Sequence, residues 1–232
     1  MWTLVTGGAK GLGAALCIAL AKEKHRIAIH YRTNKEKALE VAKECRSLGT
    51  EAQVIQGDFS SPKLVEVFAK NYLQEFSDTI HLVNNVGNYF VGSPLRTPFS
   101  EWLSLYQVNL LSPVFLSQFL ADSIIRHQGQ IINIGTAGLT KKIASTYATA
   151  YMMTKEGLWS FTRSLAKELA PQRVRVNMVS PGELVESVDH HSLPMHRPAY
   201  FEEICRVVTF LLAPESSYIT GQNIEVAGGL SL

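Results

Sequence analysis

Tyr151 and Lys155 stand four residues apart, a spacing that puts both on one face of a helix. Side by side they suit proton transfer. A carbonyl that takes up a hydride needs a proton on its oxygen, and a phenol with a free pKa of about 10 gives one up poorly near neutral pH. A neighbouring ammonium lowers that pKa and eases the transfer. A tyrosine packed on a lysine stem is the ordinary meaning of such a pair in isolation. Here the pair opens a helix directly after a strand, where a ligand crevice is expected. Tyr147 lies one turn earlier, but Tyr151 occupies the place its lysine would need, so it is the weaker candidate.

A second group of residues suits a phosphate. The run Thr6-Gly7-Gly8-Ala9-Lys10-Gly11-Leu12-Gly13 follows an apolar strand and opens a helix. Glycines permit a tight turn and close approach of a pyrophosphate to backbone N–H groups, and the helix N-terminus adds partial positive charge. A glycine triplet alone is weak; its place between the first strand and the first helix strengthens it. A third feature is Asn109, with Pro113 four residues on. Proline has no N–H, so the Asn109 carbonyl loses its helical partner and is free to hold a water in a kinked helix. The blander reading is a plain proline kink.

The elements that must position these residues alternate along the chain. Strands are expected at Trp2–Thr6, Arg26–Tyr31, Ala52–Gln56, Ile80–Asn84, Gln130–Ile134, Arg173–Val179 and Asn223–Val226. Helices are expected at Gly11–Lys24, Lys35–Leu48 with Gly49 as its stop, Pro62–Phe76, Glu101–Arg126, Tyr147–Leu169 and Tyr200–Leu212. Such alternation argues one doubly wound α/β domain over 1–232, a parallel sheet of about seven strands with helices on both faces. Ligands in such sheets sit at the C-terminal ends of the strands, where the residues above fall.

Composition removes other classes. Of 232 residues, 46% are apolar and 18% charged, which excludes a disordered or fibrous chain. The net charge of +2, without a basic run, argues against nucleic acid as a partner. Cys17, Cys45 and Cys205 are too few and too scattered for a disulfide framework or a zinc site, which suits a reducing cytoplasm. The start Met-Trp-Thr-Leu-Val-Thr-Gly does not read as a signal peptide. Trp102–Ala121 is uncharged for 20 residues, but its polar residues and Pro113 favour a buried helix over a membrane span. His190, His191 and His196 lack a completing acid or cysteine, so no metal is expected there and the segment reads as a polar loop.

Taken together, the motifs resemble the short-chain dehydrogenase/reductase family, with likeness to its 3-oxoacyl-acyl-carrier-protein reductases. The glycine loop is similar to the family's cofactor signature. Asn84-Asn85-Val86-Gly87, Asn109, Tyr151–Lys155, Asn177–Gly182, Tyr218-Ile-Thr-Gly and Gly228-Gly229 follow in the family's order over essentially the whole chain. The resemblance implies a catalytic set of Asn109, Thr136, Tyr151 and Lys155. It implies a cofactor set of Gly7, Lys10, Gly11, Leu12, Gly13, Arg32, Asp58, Phe59, Asn84, Gly87, Tyr151, Lys155, Pro181 and Gly182. Asp58 matches the acid at the adenine amino group, Lys155 the residue at the nicotinamide ribose, and the Asn109 carbonyl the holder of a water between Lys155 and solvent. The chain departs from the family's pattern at the serine thirteen residues before the tyrosine, where it has Gly138. Alignment on Ile132–Thr136 puts Thr136 in that slot, fifteen residues before Tyr151, with a two-residue insertion in 139–146; Ser145 and Thr146 are the weaker substitutes. Ala227 stands where the family commonly has Asp.

Cofactor choice follows from charge. An NAD site places an acid at the end of the second strand, whereas His30-Tyr31-Arg32-Thr33-Asn34 has none before Glu36. Arg32 and Lys10 fall where the family's NADP-binding members carry basic residues, so NADPH is expected over NADH. The implied activity is reduction of a ketone or a 3-oxoacyl thioester, with a small-molecule or carrier-linked carbonyl substrate. A pterin reductase is the alternative, which Tyr89-Phe90 would suit and the lack of Asp at Thr136 opposes. A non-catalytic NADPH sensor is the other, opposed by the intact Asn109, Tyr151 and Lys155. The resemblance implies a homotetramer, or a dimer, built on helices near 101–126 and 147–169, with Phe115, Phe119, Trp159 and Phe161 on exposed faces. The eleven residues Glu183 to Leu193 are expected to be too short for a helical lid, leaving the substrate side open.

Overall fold

Seven strands pair in parallel, in the order β3-β2-β1-β4-β5-β6-β7. They are β1 (Trp2–Val5), β2 (Arg26–Tyr31), β3 (Ala52–Gln56), β4 (Thr79–Asn84), β5 (Gln130–Ile134), β6 (Arg175–Pro181) and β7 (Asn223–Val226). The computed structural model describes the chain except residues 142, 143, 145, 186–192 and 231. The order reverses between β1 and β4, so the loops that follow these two strands part to opposite faces and leave a crevice. Leu4, Val5, Ile27, Ile29, Leu82, Val83, Ile131 and Ile132 are wholly buried, because helices cover both faces of a parallel sheet.

On one face lie α1 (Gly11–Lys22), α2 (Lys35–Ser47) and α7 (Phe201–Leu212), which share a core with the sheet through Leu16, Leu20, Val41, Ile204 and Val208. On the other lie α3 (Pro62–Glu75), α5 (Ser112–Arg126) and α6 (Thr149–Leu169), joined through Phe68, Tyr72, Leu116, Leu120 and Leu169. Local signals fix where several helices start. Asn34 caps α2 by accepting from Lys37 N at 3.0 Å, and Ser61 caps α3 with Pro62 in its first turn, both as helix-capping chemistry requires. Gly49 has φ +84° and ends the α2 region in a left-handed residue.

Three boundaries differ from expectation for identifiable reasons. The expected helix Glu101–Arg126 is α4 (Phe99–Tyr106), a π-turn at Gln107–Leu111, and α5. Pro113 removes the α-helical donor for Asn109, and the register slips by one residue: Ser112 N–H reaches the Gln107 carbonyl, which the Ser112 hydroxyl also donates to at 2.7 Å. The helix expected from Tyr147 begins at Thr149, because the Tyr147 carbonyl is engaged by Gly92 N–H at 2.8 Å. β6 starts later than expected but runs on to Pro181, which pairs with Val226.

The stretch Phe99–Arg126 is long and apolar enough to cross a bilayer by length and composition; here Leu116, Leu120 and Ile124 bury one face of it against the core. Phe115, Phe119, Trp159 and Phe161, expected on exposed faces, are half-buried edges of the core clusters instead. The serine candidate Ser145, His190, His191 and most of the segment 183–193 lie outside the described residues. His196 is exposed, and among the described residues no three potential metal ligands cluster.

At the opposite end of the sheet from the crevice, His81 on β4 pairs in register with Thr3 on β1 and Gln130 on β5. Burial, aided by the nearby His25 and Arg175, lowers its pKa to about 3. The unfolded chain therefore binds a proton near pH 6.5 that the folded chain refuses. Stability is intact above pH 6.5 and falls as pH drops below it, by about 1.4 kcal/mol per pH unit for each such histidine. Urea unfolding at pH 7.5 and 5.0 should show this loss, and His81→Gln should reduce its slope. An unchanged slope in that variant would remove His81 as the cause.

Candidate active site

The crevice consists of two cavities of about 440 and 770 Å³ that share Leu12, Asn85, Gly87 and Asn88. The first is built on the glycine loop. Gly7 has φ +68°, a conformation that side-chain-bearing residues rarely adopt, and a Cβ at Gly13 would collide with the Gly7 carbonyl. The loop and the start of α1 thus pack against each other as bare backbone. Gly7, Lys10, Gly11, Leu12 and Gly13 all line this cavity.

Its far wall is positive. Arg32 and Lys10 line it, as expected, and so does Lys37, which the sequence reading missed. The missed signal is the Asn34 cap: it sets the first turn of α2 at the end of β2, so the third residue of that turn comes back over the cavity. Glu36 is exposed and does not line it. On the side of β3, Asp58 accepts from Ser60 N at 2.9 Å, and Phe59 is buried and stacked on His30 at 4.2 Å.

The second cavity holds the titratable groups. Thr136, Tyr151, Lys155, Pro181 and Gly182 line it together. Tyr151 is half-buried, and burial pushes its pKa up to about 12, against the pull of a hydrogen bond with Thr136. Burial lowers Lys155 to about 8. Its Nζ donates to the Ile134 carbonyl at 2.7 Å and stands 5.8 Å from the centre of the Tyr151 ring. The expectation that the ammonium would bring the phenol below its free pKa is not met by these side chains alone: burial is the largest influence on Tyr151, and Thr136 is the group that opposes it. Tyr89 stands edge-on to Tyr151, ring centres 4.8 Å apart, and Tyr147 forms part of the wall.

Two expected site residues sit away from both cavities. Asn84, expected at the cofactor, is buried beneath the crevice, where its Nδ2 donates to Asn133 Oδ1 at 2.8 Å. Its neighbour Asn85 borders the crevice instead and donates to the Thr6 carbonyl at 2.9 Å. Asn109 is wholly buried. Its Oδ1 accepts from Asn88 N at 2.7 Å, and its Nδ2 donates to the Asn88 carbonyl at 2.9 Å and to Thr154 Oγ1 at 3.2 Å. The side chain thus pins the loop after β4 to α6, one turn from Tyr151.

A family model described as Enoyl-(Acyl carrier protein) reductase matches residues 7–231. The 3-oxoacyl-[acyl-carrier-protein] reductase FabG of Staphylococcus aureus is 29% identical, over 98% of this chain and 96% of that protein. A blue fluorescent protein from a metagenomic library, solved in complex with NADPH, superposes with a TM-score of 0.92 at 27% identity, covering 100% of this chain and 98% of that one. The angucycline C-6 ketoreductase LanV, solved with bound NADP, gives 0.89 at 26% identity, covering 99% and 95%.

The Asn109 contacts carry a measurable consequence. Asn109→Ala removes three hydrogen bonds at once. It should lower unfolding free energy by about 1–3 kcal/mol, read by urea unfolding at pH 7.5; an unchanged midpoint would show that the loop after β4 is held by other means.

Proposed function

Because the chain belongs to the short-chain dehydrogenase/reductase family, and so is an NAD(P)-dependent oxidoreductase, we propose that it reduces a ketone or 3-oxoacyl thioester with NADPH, and that Tyr151 donates the proton. The observation that carries this reading is the convergence of Thr136, Tyr151 and Lys155 on a cavity continuous with the glycine-loop cavity. The bare-backbone cradle of Gly7 and Gly13 fits a pyrophosphate, and Lys10, Arg32 and Lys37 fit a further phosphate. Gly11–Gly13 and the α1 N-terminus would hold the pyrophosphate, Asp58 and Phe59 would border the adenine, and Pro181, Gly182 and Lys155 would border the nicotinamide end. When bound, the dinucleotide supplies the hydride.

The chain's own groups handle the oxygen. Thr136 and Tyr151 hydrogen-bond the carbonyl oxygen, and the phenol passes its proton to that oxygen as charge develops there. Lys155, held by Ile134, stabilises the tyrosinate that results and restores its proton through the Asn109 carbonyl water. Among the described residues, Lys155 is the one cation lining this cavity, which suits a substrate neutral around its carbonyl. The edge-on Tyr89 favours a flat substrate and sustains pterin reduction as the second reading. We further propose that the chain is one domain, is cytoplasmic, and forms an oligomer through α5 and α6; the groove between Pro62, Phe115 and Phe119 on the outer face of α3 and α5 supports such pairing.

Following NADPH oxidation over ketones, acetoacetyl thioesters and dihydropterins tests the reaction class. Turnover of dihydropterins alone would replace the first reading with the second. Arg32→Ala should weaken NADPH binding about tenfold or more, as expected for a charge-assisted contact, and NADH binding far less. Equal dissociation constants for the two cofactors in the unaltered protein would overturn the NADPH assignment.

On the best substrate from that screen, Tyr151→Phe should cut turnover by about 10² to 10⁴ with NADPH affinity kept. Thr136→Ala should lose activity that Thr136→Ser keeps. The rate of reduction should fall as pH rises through about 8, where Lys155 gives up its charge. Turnover above a tenth of wild type in Tyr151→Phe would exclude the phenol as donor.

A further inference from the structure

We infer that His30 is a positioning residue of the cofactor half of the crevice, a neutral imidazole that ties the glycine loop to the loop after β3 and so sets the width of the cleft that takes the dinucleotide. The inference rests on the cofactor reading above. His30 is the last residue but one of β2 and is 2% exposed. Gly7 N–H donates to its Nδ1 at 3.0 Å. An imidazole that accepts at Nδ1 carries its hydrogen on Nε2, and Nε2 lies 3.1 Å from the Gly57 carbonyl, where that hydrogen is used. The ring lies flat on Phe59, with an interplanar angle of 5°, and meets the edge of Phe68 at 5.1 Å. Its own carbonyl accepts from Gly8 N at 2.9 Å. One side chain and its backbone therefore hold Gly7, Gly8, Gly57 and Phe59, on the two walls between which a dinucleotide would lie.

A space-filling residue would not need this pattern of one acceptor and one donor. Only one of the three imidazole forms satisfies both contacts. The other neutral tautomer and the imidazolium each put an N–H against the Gly7 N–H, and Gly7, at φ +68°, would have to turn away with the loop. The surroundings select the neutral form. Burial lowers the His30 pKa to about 4 against the opposing pull of the Gly57 carbonyl and Asp58. Lys10, Arg32 and Lys37 line the same cavity, and α3 brings the ring of Phe68 against the imidazole.

The test compares NADP+ binding by the full chain at pH 7.5 in three variants, each checked for folding by its thermal midpoint. In His30→Asn, Oδ1 falls one bond beyond Cγ, as Nδ1 does, and can still accept from Gly7. In His30→Gln, the amide can reach Gly57 but leaves Gly7 without its acceptor. His30→Leu keeps bulk and loses both contacts. The expected result is that Leu and Gln weaken NADP+ about tenfold or more, the scale of an unsatisfied buried N–H, and that Asn recovers most of the loss. If Leu does not fold, Asn against Gln decides. Nitrogen NMR of the wild-type imidazole should show Nδ1 unprotonated and Nε2 protonated at pH 7.5, with both signals shifted by NADP+. Equal affinities in Asn, Gln and wild type, or an Nδ1-protonated ring, would overturn the inference while leaving the cofactor reading intact. A wild-type protein that binds neither NADP+ nor NAD+ would overturn both.

Discussion

The hydroxyl of Thr6 holds the crevice together. It lies at the point where β1 and β4 end side by side and their chains leave toward opposite faces of the sheet. The buried hydroxyl meets two backbone N–H groups left by that parting, and a carbonyl that Thr6 N also engages. It donates to the Val83 carbonyl at 3.3 Å and accepts from Asn85 N at 2.8 Å and Val86 N at 3.0 Å. Asn85 closes the stitch from its side by donating to the Thr6 carbonyl. A buried backbone N–H without a partner is costly, so the two loops cannot separate independently. The glycine loop that cradles one end of the crevice and the Asn85–Asn88 segment that borders both cavities are positioned by the same atom.

From this stitch the two halves diverge in their physics. Toward β3 the contacts are backbone turns, a neutral buried imidazole and exposed cations. Toward β5 and β6 they are titratable groups whose charges are penalised by burial. Lys155 loses part of its basicity and Tyr151 part of its acidity for one and the same reason. Desolvation pushes each toward its neutral form, while Lys155 Nζ donates to the Ile134 carbonyl. In the proposed reaction, proton transfer from Tyr151 would depend on positive charge or hydrogen bonds gathered as the carbonyl oxygen becomes anionic, and Thr136 lines the same cavity.

Much of this was legible in residue order. Strand–helix alternation gives away the sheet, and the glycines after Trp2–Val5 and the Tyr151–Lys155 pair mark the edge where the two cavities lie. What escaped has specific causes. Asn84 and Asn85 cannot be told apart by pattern, because a strand buried on both faces shows no alternation to reveal which side chain points where. The pairing of Asn84 with Asn133 on the next strand decides it. Lys37 reads as one more cation on a polar helix until the Asn34 cap orients the first turn. Pro113 announces an irregularity, but a π-turn rather than a break depends on Gln107 and Ser112 bonding each other and the Phe59 carbonyl from across the fold. His30 carries no local signal, since its partners are 23 and 27 residues away in sequence.

On the proposed reading, the division of the crevice also separates cofactor discrimination from proton transfer. Lys10, Arg32 and Lys37 are exposed, so their attraction for a phosphate is screened by salt over about a Debye length of 8 Å at physiological ionic strength. Lys155 is buried and Thr136 and Tyr151 are half-buried, so screening is weaker there. On the proposed reading, cofactor selectivity would respond to ionic strength and could be retuned by surface substitutions around α2 without disturbing Tyr151. The reverse does not hold. Any change that tilts the loop after β4 acts on both halves, because Thr6, Asn85 and Asn109 bind that loop to β1 on one side and to the helix of Tyr151 on the other.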